Sequence, residues 1–172
     1  MNRKASFPPV ADSSTRLLLL GSLPGEASLR AERYYAHPQN QFWRLAGTVI
    51  GDEGLPGLDY ADRLAALAAA GVGLWDVVAD AVRPGSLDAA IRDHRPNDLA
   101  ALVASLPELR AIGFNGGTAS RIGRKLIGAG HGLLLVDLPS SSPAYTLTFA
   151  EKRRRWRLLA ATLGSSDEFF GG

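Results

Sequence analysis

The chain has 172 residues, no cysteine and a formal net charge of +2, and 46% of its residues are hydrophobic while 21% are charged. This length and composition predict one globular domain with a core of its own, and the lack of cysteine excludes disulfides, thiolate catalysis and metal sites built on cysteine. No apolar run approaches the roughly 20 residues that cross a membrane, and the N-terminal segment lacks the apolar stretch of a secretory signal. We therefore expect a cytoplasmic protein that makes no membrane contact.

The two ends of the chain differ in composition from the interior. Residues 1–15 contain two adjacent prolines and several small polar residues, which predicts a flexible lead-in. Residues 165–172 (SSDEFFGG) are interpreted as a loose tail whose two phenylalanines could dock. Neither a repeat nor a low-complexity linker interrupts the chain between these ends. Residues 16–164 are therefore predicted to form a single domain.

Apolar runs and helical periodicity alternate along this domain. Continuous apolar runs predict three strands, and Leu74–Val78 is predicted to be extended or irregular. The strands are expected at Leu17–Leu20, Ala111–Phe114 and Leu133–Val136. Helical spacing of apolar residues, with capping residues at several ends, predicts five helices. They are expected at Gln39–Ile50, Asp59–Ala70, Asn97–Leu106, Gly117–Ile127 and Phe149–Leu163.

Strands without in-and-out alternation, separated by helices, are typical of a parallel sheet that is covered on both faces. Ligands of such α/β folds lie beyond the carboxyl ends of the strands. The loops that follow the three predicted strands are all rich in Gly, Pro, Ser or Asn, and they are Gly21–Gly25, Asn115–Gly117 and Leu138–Pro143. We expect a functional site where these loops converge.

The first two candidate segments each allow a structural and a functional interpretation. Gly21–Gly25 (GSLPG) is either a tight turn or a source of backbone N–H groups for an anion or a base edge, and it matches neither a P-loop nor a dinucleotide fingerprint. In Tyr34–Trp43 (YYAHPQNQFW), Tyr34 or Tyr35 could stack on a planar ligand. Asn40 either caps the following helix or binds a water or a base edge through its amide. The histidines show no metal-ligand spacing, so no metal site is expected.

The later segments suit contacts with nucleic acid. Asn115 lies in a turn-forming FNGG sequence, where it either supports the turn or offers its amide to a base edge. The serines of Leu138–Tyr145 (LPSSSPAY) suit phosphate contacts, and the prolines suit a stiff loop pressed into a groove. Five basic residues between Lys152 and Arg157 form either a phosphate-binding patch or a solvated helix face.

Six motifs occur in an order that resembles the uracil-DNA glycosylase superfamily. They are GSLPG, YYAHPQNQFW, GVGLWDVV, RPGSLDAAI, GFNGG and LPSSSPA, and the resemblance spans residues 17–156. Within the superfamily the chain is most similar to the deoxyinosine (hypoxanthine)-DNA glycosylases, with the mismatch-specific uracil-DNA glycosylases as near relatives. The resemblance implies a three-layer α/β/α fold around a central four-stranded, mainly parallel sheet. It also implies removal of a deaminated base from DNA without metal or cofactor.

The resemblance assigns roles to particular residues. Leu23 stands where mismatch-specific relatives carry the Asn that positions water, and in deoxyinosine glycosylases the Asn of the HPxN segment, here Asn40, takes over that role. Tyr35 matches the aromatic residue that stacks on the flipped base. Leu138 stands where many relatives carry His or Asn, so this loop lacks a cationic His.

Together these observations predict a monofunctional DNA glycosylase that acts as a monomer and removes hypoxanthine, with Asn40 as its catalytic residue. The predicted base-binding residues are Ser22, Leu23, Pro24, Gly25, Tyr35 and Asn115. The predicted DNA-binding residues are Pro139, Ser140, Ser141, Ser142, Lys152 and Arg153. The loop tip near Ser141 and Ser142 is expected to fill the gap that the flipped base leaves in the duplex.

Other functions fit parts of the same pattern. The alternatives are a uracil-DNA glycosylase, a module that binds damaged or single-stranded DNA without cleaving it, and a doubly wound domain that binds a mononucleotide. The Trp75-Asp76 pair and the GSLDAAI segment have no chemical role in the prediction and are assigned to packing.

Overall fold

A parallel sheet of four strands separates two layers of helices in the structure, a computed structural model that describes residues 3–164. The strands are β1 (Lys4–Ala5), β2 (Leu17–Gly21), β3 (Val72–Asp76), β4 (Val78–Val82), β5 (Arg92–Pro96), β6 (Ala111–Asn115) and β7 (Leu134–Leu138). In the central sheet β3, β2, β6 and β7 lie side by side in that order and run parallel. The sheet confirms the predicted α/β class.

Six α-helices and three short 3-10 helices connect the strands within residues 3–164. The α-helices are α1 (Glu26–Ala31), α2 (Phe42–Ile50), α3 (Tyr60–Ala70), α4 (Leu99–Ala104), α5 (Gly117–Ile127) and α6 (Phe149–Arg157). The 3-10 helices are Leu55–Gly57, Asp88–Ala90 and Leu158–Leu163. None of the helices in the described part of the chain is long and apolar enough to cross a membrane.

Strand β2 shows why the sheet is buried on both faces. Leu17 and Leu19 belong to one core cluster, which also takes residues from α2, α3 and α6. Leu18 and Leu20 belong to a second cluster with residues of α4 and α5. All four leucines are at most 1% exposed. Because both faces are covered, successive residues are apolar, and this is the continuous run that predicted the strand.

A second, smaller sheet was not predicted. Strands β1, β4 and β5 pair antiparallel in the order β1-β4-β5. Every residue of β5 is exposed, and its sequence, RDHRP, is charged. A strand that buries no apolar side chain leaves no hydrophobic pattern in the sequence, so this sheet could not be recognised from periodicity.

Residues 3–10 pack against the domain, which corrects the expectation of a flexible lead-in. Lys4–Ala5 pair with β4, and Val10 exchanges backbone hydrogen bonds with Leu74 of β3, at 2.9 and 2.8 Å. The indole Nε1 of Trp75 donates to the carbonyl oxygen of Phe7 at 2.9 Å. These backbone contacts tie the segment to two sheets. The predicted tail, residues 165–172, lies outside the described residues.

Candidate active site

A cavity of about 480 Å³ lies at one edge of the central sheet. Gly21, Asp76 and Asn115 line it, and they are the last residues of β2, β3 and β6. The loop after β7 adds residues 140–145, and the segment around Tyr35 and Asn40 closes another side. The three loops singled out from the sequence therefore converge, and the volume is that of a small-molecule or single-base site.

The loop Gly21–Gly25 can present backbone N–H groups to a ligand, but its carbonyl groups are already in use. All five carbonyl oxygens of Gly21–Gly25 accept hydrogen bonds from other parts of the protein. The donors are the backbone N–H groups of Val77, Val78 and Leu29 and the guanidinium of Arg83. Leu23 is 6% exposed and packs its side chain in the second core cluster. Pro24 has no N–H group, so only its ring is left for a base. Among the predicted base-binding residues of this loop, Leu23 can therefore contribute only its backbone N–H.

Asn115 is the centre of a hydrogen-bonded network between three segments. Its Nδ2 donates to Ser141 Oγ at 2.9 Å and to Tyr35 Oη at 3.3 Å, and its Oδ1 accepts from the backbone N–H of Ser141 at 2.8 Å. Asn115 is 7% exposed. Because these internal contacts use the amide, the geometry favours a positioning role for Asn115 over the predicted contact with a base edge.

Asn40 both caps helix α2 and faces the cavity, so the two interpretations that the sequence left open are compatible. Its Oδ1 accepts from the backbone N–H of Phe42, the first residue of α2, at 2.9 Å. The same oxygen accepts from Ser141 Oγ at 2.8 Å. Asn40 lines the cavity, and with its oxygen engaged twice the Nδ2 amide is the group that it can present to a ligand.

Tyr35 is held rigidly beside the cavity. Its ring stacks on Phe42 with a centroid distance of 3.8 Å and an interplanar angle of 12°, so one face remains for a ligand. The backbone of Tyr35 has a positive φ of 53°, which is uncommon for a bulky side chain. Burial, and then the charge of Asp76, raises the pKa of the hydroxyl. Tyr35 is therefore a neutral, fixed stacking surface.

Two carboxyl groups that the sequence analysis did not select complete the cavity. Asp76 is 4% exposed, and its Oδ2 has no hydrogen-bond partner among residues 3–164. Asp88 accepts a hydrogen bond from Ser22 Oγ at 2.6 Å. Burial, and then the charge of Asp88, raises the pKa of Asp76 to about 7. The pair gives this cavity a proton-bearing group near neutral pH.

Position 21 must be glycine, because the side chains of Asp76 and Tyr35 approach the backbone there too closely for any Cβ atom. A Cβ at this position would lie 2.6 Å from Asp76 Oδ1 and 2.9 Å from Tyr35 Oη. Both distances are below van der Waals contact, so only glycine lets the two polar atoms lie this close to the end of β2.

The loop after β7 corrects two predicted DNA contacts. Pro139 is buried, and its carbonyl oxygen accepts from Trp156 Nε1 at 2.9 Å. Ser141 is 1% exposed and belongs to the Asn115 network. The burial of both side chains argues against the predicted DNA contacts and against Ser141 as the residue that fills the gap in the duplex. Ser140 and Ser142 are half-buried, and the exposed part of the loop is residues 143–146.

The predicted DNA contact of Lys152 also conflicts with the structure. Lys152 is 1% exposed, and its Nζ donates to Gln41 Oε1 at 3.0 Å and to the carbonyl oxygen of Ser142 at 3.2 Å. It therefore holds the loop in place and is not available to a phosphate. Arg153, the next residue, is 41% exposed at its side chain and pairs with Glu53 at 2.8 Å. Arg153 thus keeps a partly exposed guanidinium that pairs with Glu53, and it does not line the cavity at the strand ends.

Sequence reasoning missed Asp76, Asp88, Leu87 and Tyr145, all of which line the cavity. Asp76 had a usable signal, because it ends an apolar run whose carboxyl end belongs beside those of the other strands. Leu87 and Asp88 lie in RPGSLDAAI, one of the six motifs of the resemblance, but the segment was assigned to packing, and the structure corrects this because both residues line the cavity. Leu87 is 60% and Tyr145 46% exposed.

Comparisons with known proteins agree with this arrangement. The sequence model of the Uracil DNA glycosylase superfamily matches residues 8–162. A Methanosarcina barkeri protein named hypoxanthine DNA glycosylase is 45% identical over 114 residues, covering 66% of this chain and 72% of the relative. A Methanosarcina acetivorans protein of the same name is 40% identical over 153 residues, covering 89% and 95%.

A solved structure shares the fold as well. The solution NMR structure of a Methanosarcina acetivorans chain, described as a candidate uracil DNA glycosylase, has a TM-score of 0.83 and 38% identity, and the match covers 94% of this chain and 99% of the other. The family match covers the central sheet, strands β4 and β5 of the small sheet and every segment that lines the cavity. The motif order, the cavity at the strand ends and these matches lead to one conclusion: the chain belongs to the uracil DNA glycosylase superfamily.

Proposed function

We propose that this protein is a monofunctional DNA glycosylase that removes hypoxanthine from DNA and leaves an abasic site. The observation that carries the proposal is the cavity at the strand ends, where a fixed aromatic ring, an amide donor and a buried carboxyl line one space of about 480 Å³. The two Methanosarcina relatives named hypoxanthine DNA glycosylase support the choice of base. An enzyme acting on a base in duplex DNA must first rotate it out of the stack, and the cavity accepts it there.

The flipped base stacks on the open face of Tyr35. Phe42 backs that ring from the other side, and Asn115 fixes its hydroxyl, so the stacking surface does not reorganise when the base arrives. The N–H groups of Ser22, Leu23 and Gly25 are then the backbone donors for the carbonyl and ring nitrogens of hypoxanthine. Donors fixed in advance stabilise the charge that moves onto the base as the glycosidic bond lengthens.

Asn40 holds the water that attacks C1′. Its Oδ1 is engaged by Phe42 N–H and Ser141 Oγ, which orients the Nδ2 amide as a donor to the water oxygen. A lone pair of that oxygen remains for attack on the oxocarbenium-like sugar, as in other glycoside hydrolyses. Among the described residues that line the cavity there is no lysine, so no amine is placed to form an imine with the sugar and cut the strand.

The exposed apolar residues at the cavity fill the gap in the duplex. Leu87 and Tyr145 come from two different loops, and both are large and exposed. Apolar side chains inserted between base steps are a common device for holding DNA open. They take the role that the sequence analysis assigned to Ser141 and Ser142. Phosphate contacts fall to Ser140, Ser142 and Arg153, which are not fully buried.

The proposed function is tested by base release from labelled duplexes that carry a single inosine or a single uracil. The purified protein is incubated with EDTA, and abasic sites are then cleaved with alkali. We expect wild type to release hypoxanthine and Asn40→Ala to lose on the order of 100-fold or more in single-turnover rate while keeping its DNA affinity. Gln39→Ala, a change at the exposed preceding residue, is the matched control and should keep full activity.

Each result has a separate meaning. Strand cleavage without alkali would contradict the monofunctional assignment. Release of uracil alone would overturn the choice of base, and binding without release of either base would overturn the enzymatic function. Full activity in Asn40→Ala would leave the glycosylase standing but remove Asn40 from the mechanism.

A further inference from the structure

The carboxyl group of Asp76 is a buried polar group that the fold leaves without a full set of partners. Its side chain is 4% exposed, and Oδ2 has no hydrogen-bond partner within the described residues. Such an atom destabilises a folded protein unless something satisfies it. Because Asp76 lines the base cavity, a base bound there is the partner that the protein itself does not provide.

The surroundings of the two carboxyl groups decide which one carries the proton. Burial raises the pKa of Asp88, but Asp88 accepts from Ser22 Oγ and lies near the guanidinium of Arg83, and both of these favour its ionised form. Asp76 has no such donor on Oδ2, and the negative charge of Asp88 opposes its ionisation. Two carboxyls in unequal surroundings divide the roles of acid and anion. The remaining titratable groups among the described residues that line the cavity are Glu26, Tyr34, Tyr35, His37 and Tyr145.

We propose that Asp76 is a second catalytic residue, a general acid that gives its proton to a ring nitrogen of the departing purine. This inference rests on the proposed function, because it needs a flipped base in the cavity. Its geometric support is the position of Asp76 at the end of β3, beside Gly21, where Tyr35 Oη also points. A buried acid placed against the stacking ring is within the space that the base must enter.

The proposed step balances in protons and electrons. The C1′–N9 bond breaks, its electron pair passes into the purine ring, and the proton of Asp76 moves to a ring nitrogen, so hypoxanthine leaves as a neutral molecule. The water held by Asn40 forms the new C1′–O bond and loses one proton to solvent. Asp76 is then protonated again from solvent, and the enzyme is ready for another turnover.

This role separates purines from uracil. In deoxyinosine the ring nitrogens N3 and N7 are unprotonated and can accept a proton as the bond to the sugar breaks. In deoxyuridine N1 carries the sugar and N3 already carries hydrogen, so neither ring nitrogen can accept a proton before the bond to the sugar has broken. An acid at Asp76 therefore accelerates the release of hypoxanthine much more than the release of uracil.

The test compares wild type with Asp76→Asn in single-turnover assays on inosine duplexes between about pH 5 and pH 9. Asn keeps the size of the side chain but has no proton to transfer. We expect a loss of about 100-fold to 10,000-fold at neutral pH, the usual contribution of a general acid, with unchanged DNA affinity. The wild-type rate should fall about tenfold for each pH unit above about 7, as the acid form is lost, and the rate of Asp76→Asn should not.

Two further variants keep the result interpretable. Asp93→Asn, at a carboxylate that is 84% exposed, should behave like wild type. Asp88→Asn removes the charge that holds the proton on Asp76, so the decline of the rate should begin at a lower pH. The loss in Asp76→Asn should be much smaller for any residual release of uracil, which a merely structural defect would not reproduce.

The outcomes separate this inference from the proposed function. If wild type releases no hypoxanthine, the proposed function fails first. If wild type releases it and Asp76→Asn does so equally fast, with the same decline at alkaline pH, the general acid is overturned while the glycosylase stands. An equal loss on inosine and uracil would likewise contradict proton transfer to the purine.

Discussion

The buried carboxyl of Asp76, the proposed general acid, lowers the stability of the folded protein at alkaline pH. Its ordinary pKa is 3.8, and the folded protein raises it to about 7. Between these pH values the folded protein holds a proton that the unfolded chain has released. The stability of the wild type therefore falls as the pH rises across this interval, and the full penalty is present above pH 7.

Asp76→Asn removes this penalty, so the variant should be more stable than wild type at pH 8. The gain should be on the order of 4 kcal/mol at most, and it should shrink towards pH 4, where both proteins are neutral at this position. Denaturant unfolding at pH 5, 6, 7 and 8 measures the difference between the two free energies of unfolding. A difference that stays constant with pH would mean that Asp76 does not change its protonation in this range.

Individual site residues were predictable where their position on the fold was predictable. Tyr35 and Asn40 lie in the most unusual segment of the sequence, and both reach the cavity. Asn115 was found because it ends a clear apolar strand, but its internal partners were invisible to the sequence. Asp76 was assigned to packing with Trp75, and this assignment is wrong for Asp76, because β3 runs from Val72 to Asp76 and its last residue lines the cavity.

At the scale of one element, helix α6 shows why charge alone misled the prediction. One face carries Phe149, Lys152 and Trp156 at spacings of three and four residues, and Leu159 of the following 3-10 helix continues the spacing. All of these except Phe149 are buried. The arginines lie on the other positions, and Arg153 pairs with Glu53 and Arg154 with Glu151. The run therefore contains a buried anchor and a solvated face. Helical spacing separates them, although the total charge does not.

Lys152 and Arg153 form a matched pair of neighbouring substitutions. Lys152→Met should lower the free energy of unfolding by about 1–3 kcal/mol, because it leaves Gln41 Oε1 without its donor and removes one of the two donors to the carbonyl of Ser142. It should leave the salt dependence of DNA binding unchanged. Arg153→Gln should cost little stability, as an exposed pair does, and should lower the slope of log affinity against log salt by about one. Denaturant unfolding measures the stability, and binding titrations at several salt concentrations measure the slope. A lower slope in Lys152→Met with unchanged stability would mean that Lys152 does contact DNA.

For the whole molecule, the general rule of parallel sheets predicted more than any local motif. Three apolar runs were enough to place three loops at one edge, and these loops do meet in one cavity. The rule could not predict what the hairpin of β4 and β5 adds, since this small sheet leaves no apolar pattern. That hairpin carries Leu87 and Asp88 to the cavity between its two strands. The central sheet thus brings the site loops together, and the small sheet adds part of the proposed DNA surface.

The two exposed apolar residues at the cavity test this division. Leu87→Ala and Tyr145→Ala should each reduce the single-turnover release of hypoxanthine from a duplex by roughly tenfold, because the gap left by the base is no longer filled and the base returns to the stack. Release from a single-stranded oligonucleotide should be almost unchanged, since no gap forms there. Leu158→Ala is the matched control, as Leu158 is 72% exposed but does not line this cavity. Equal losses on both substrates would instead place Leu87 and Tyr145 among the contacts to the base itself.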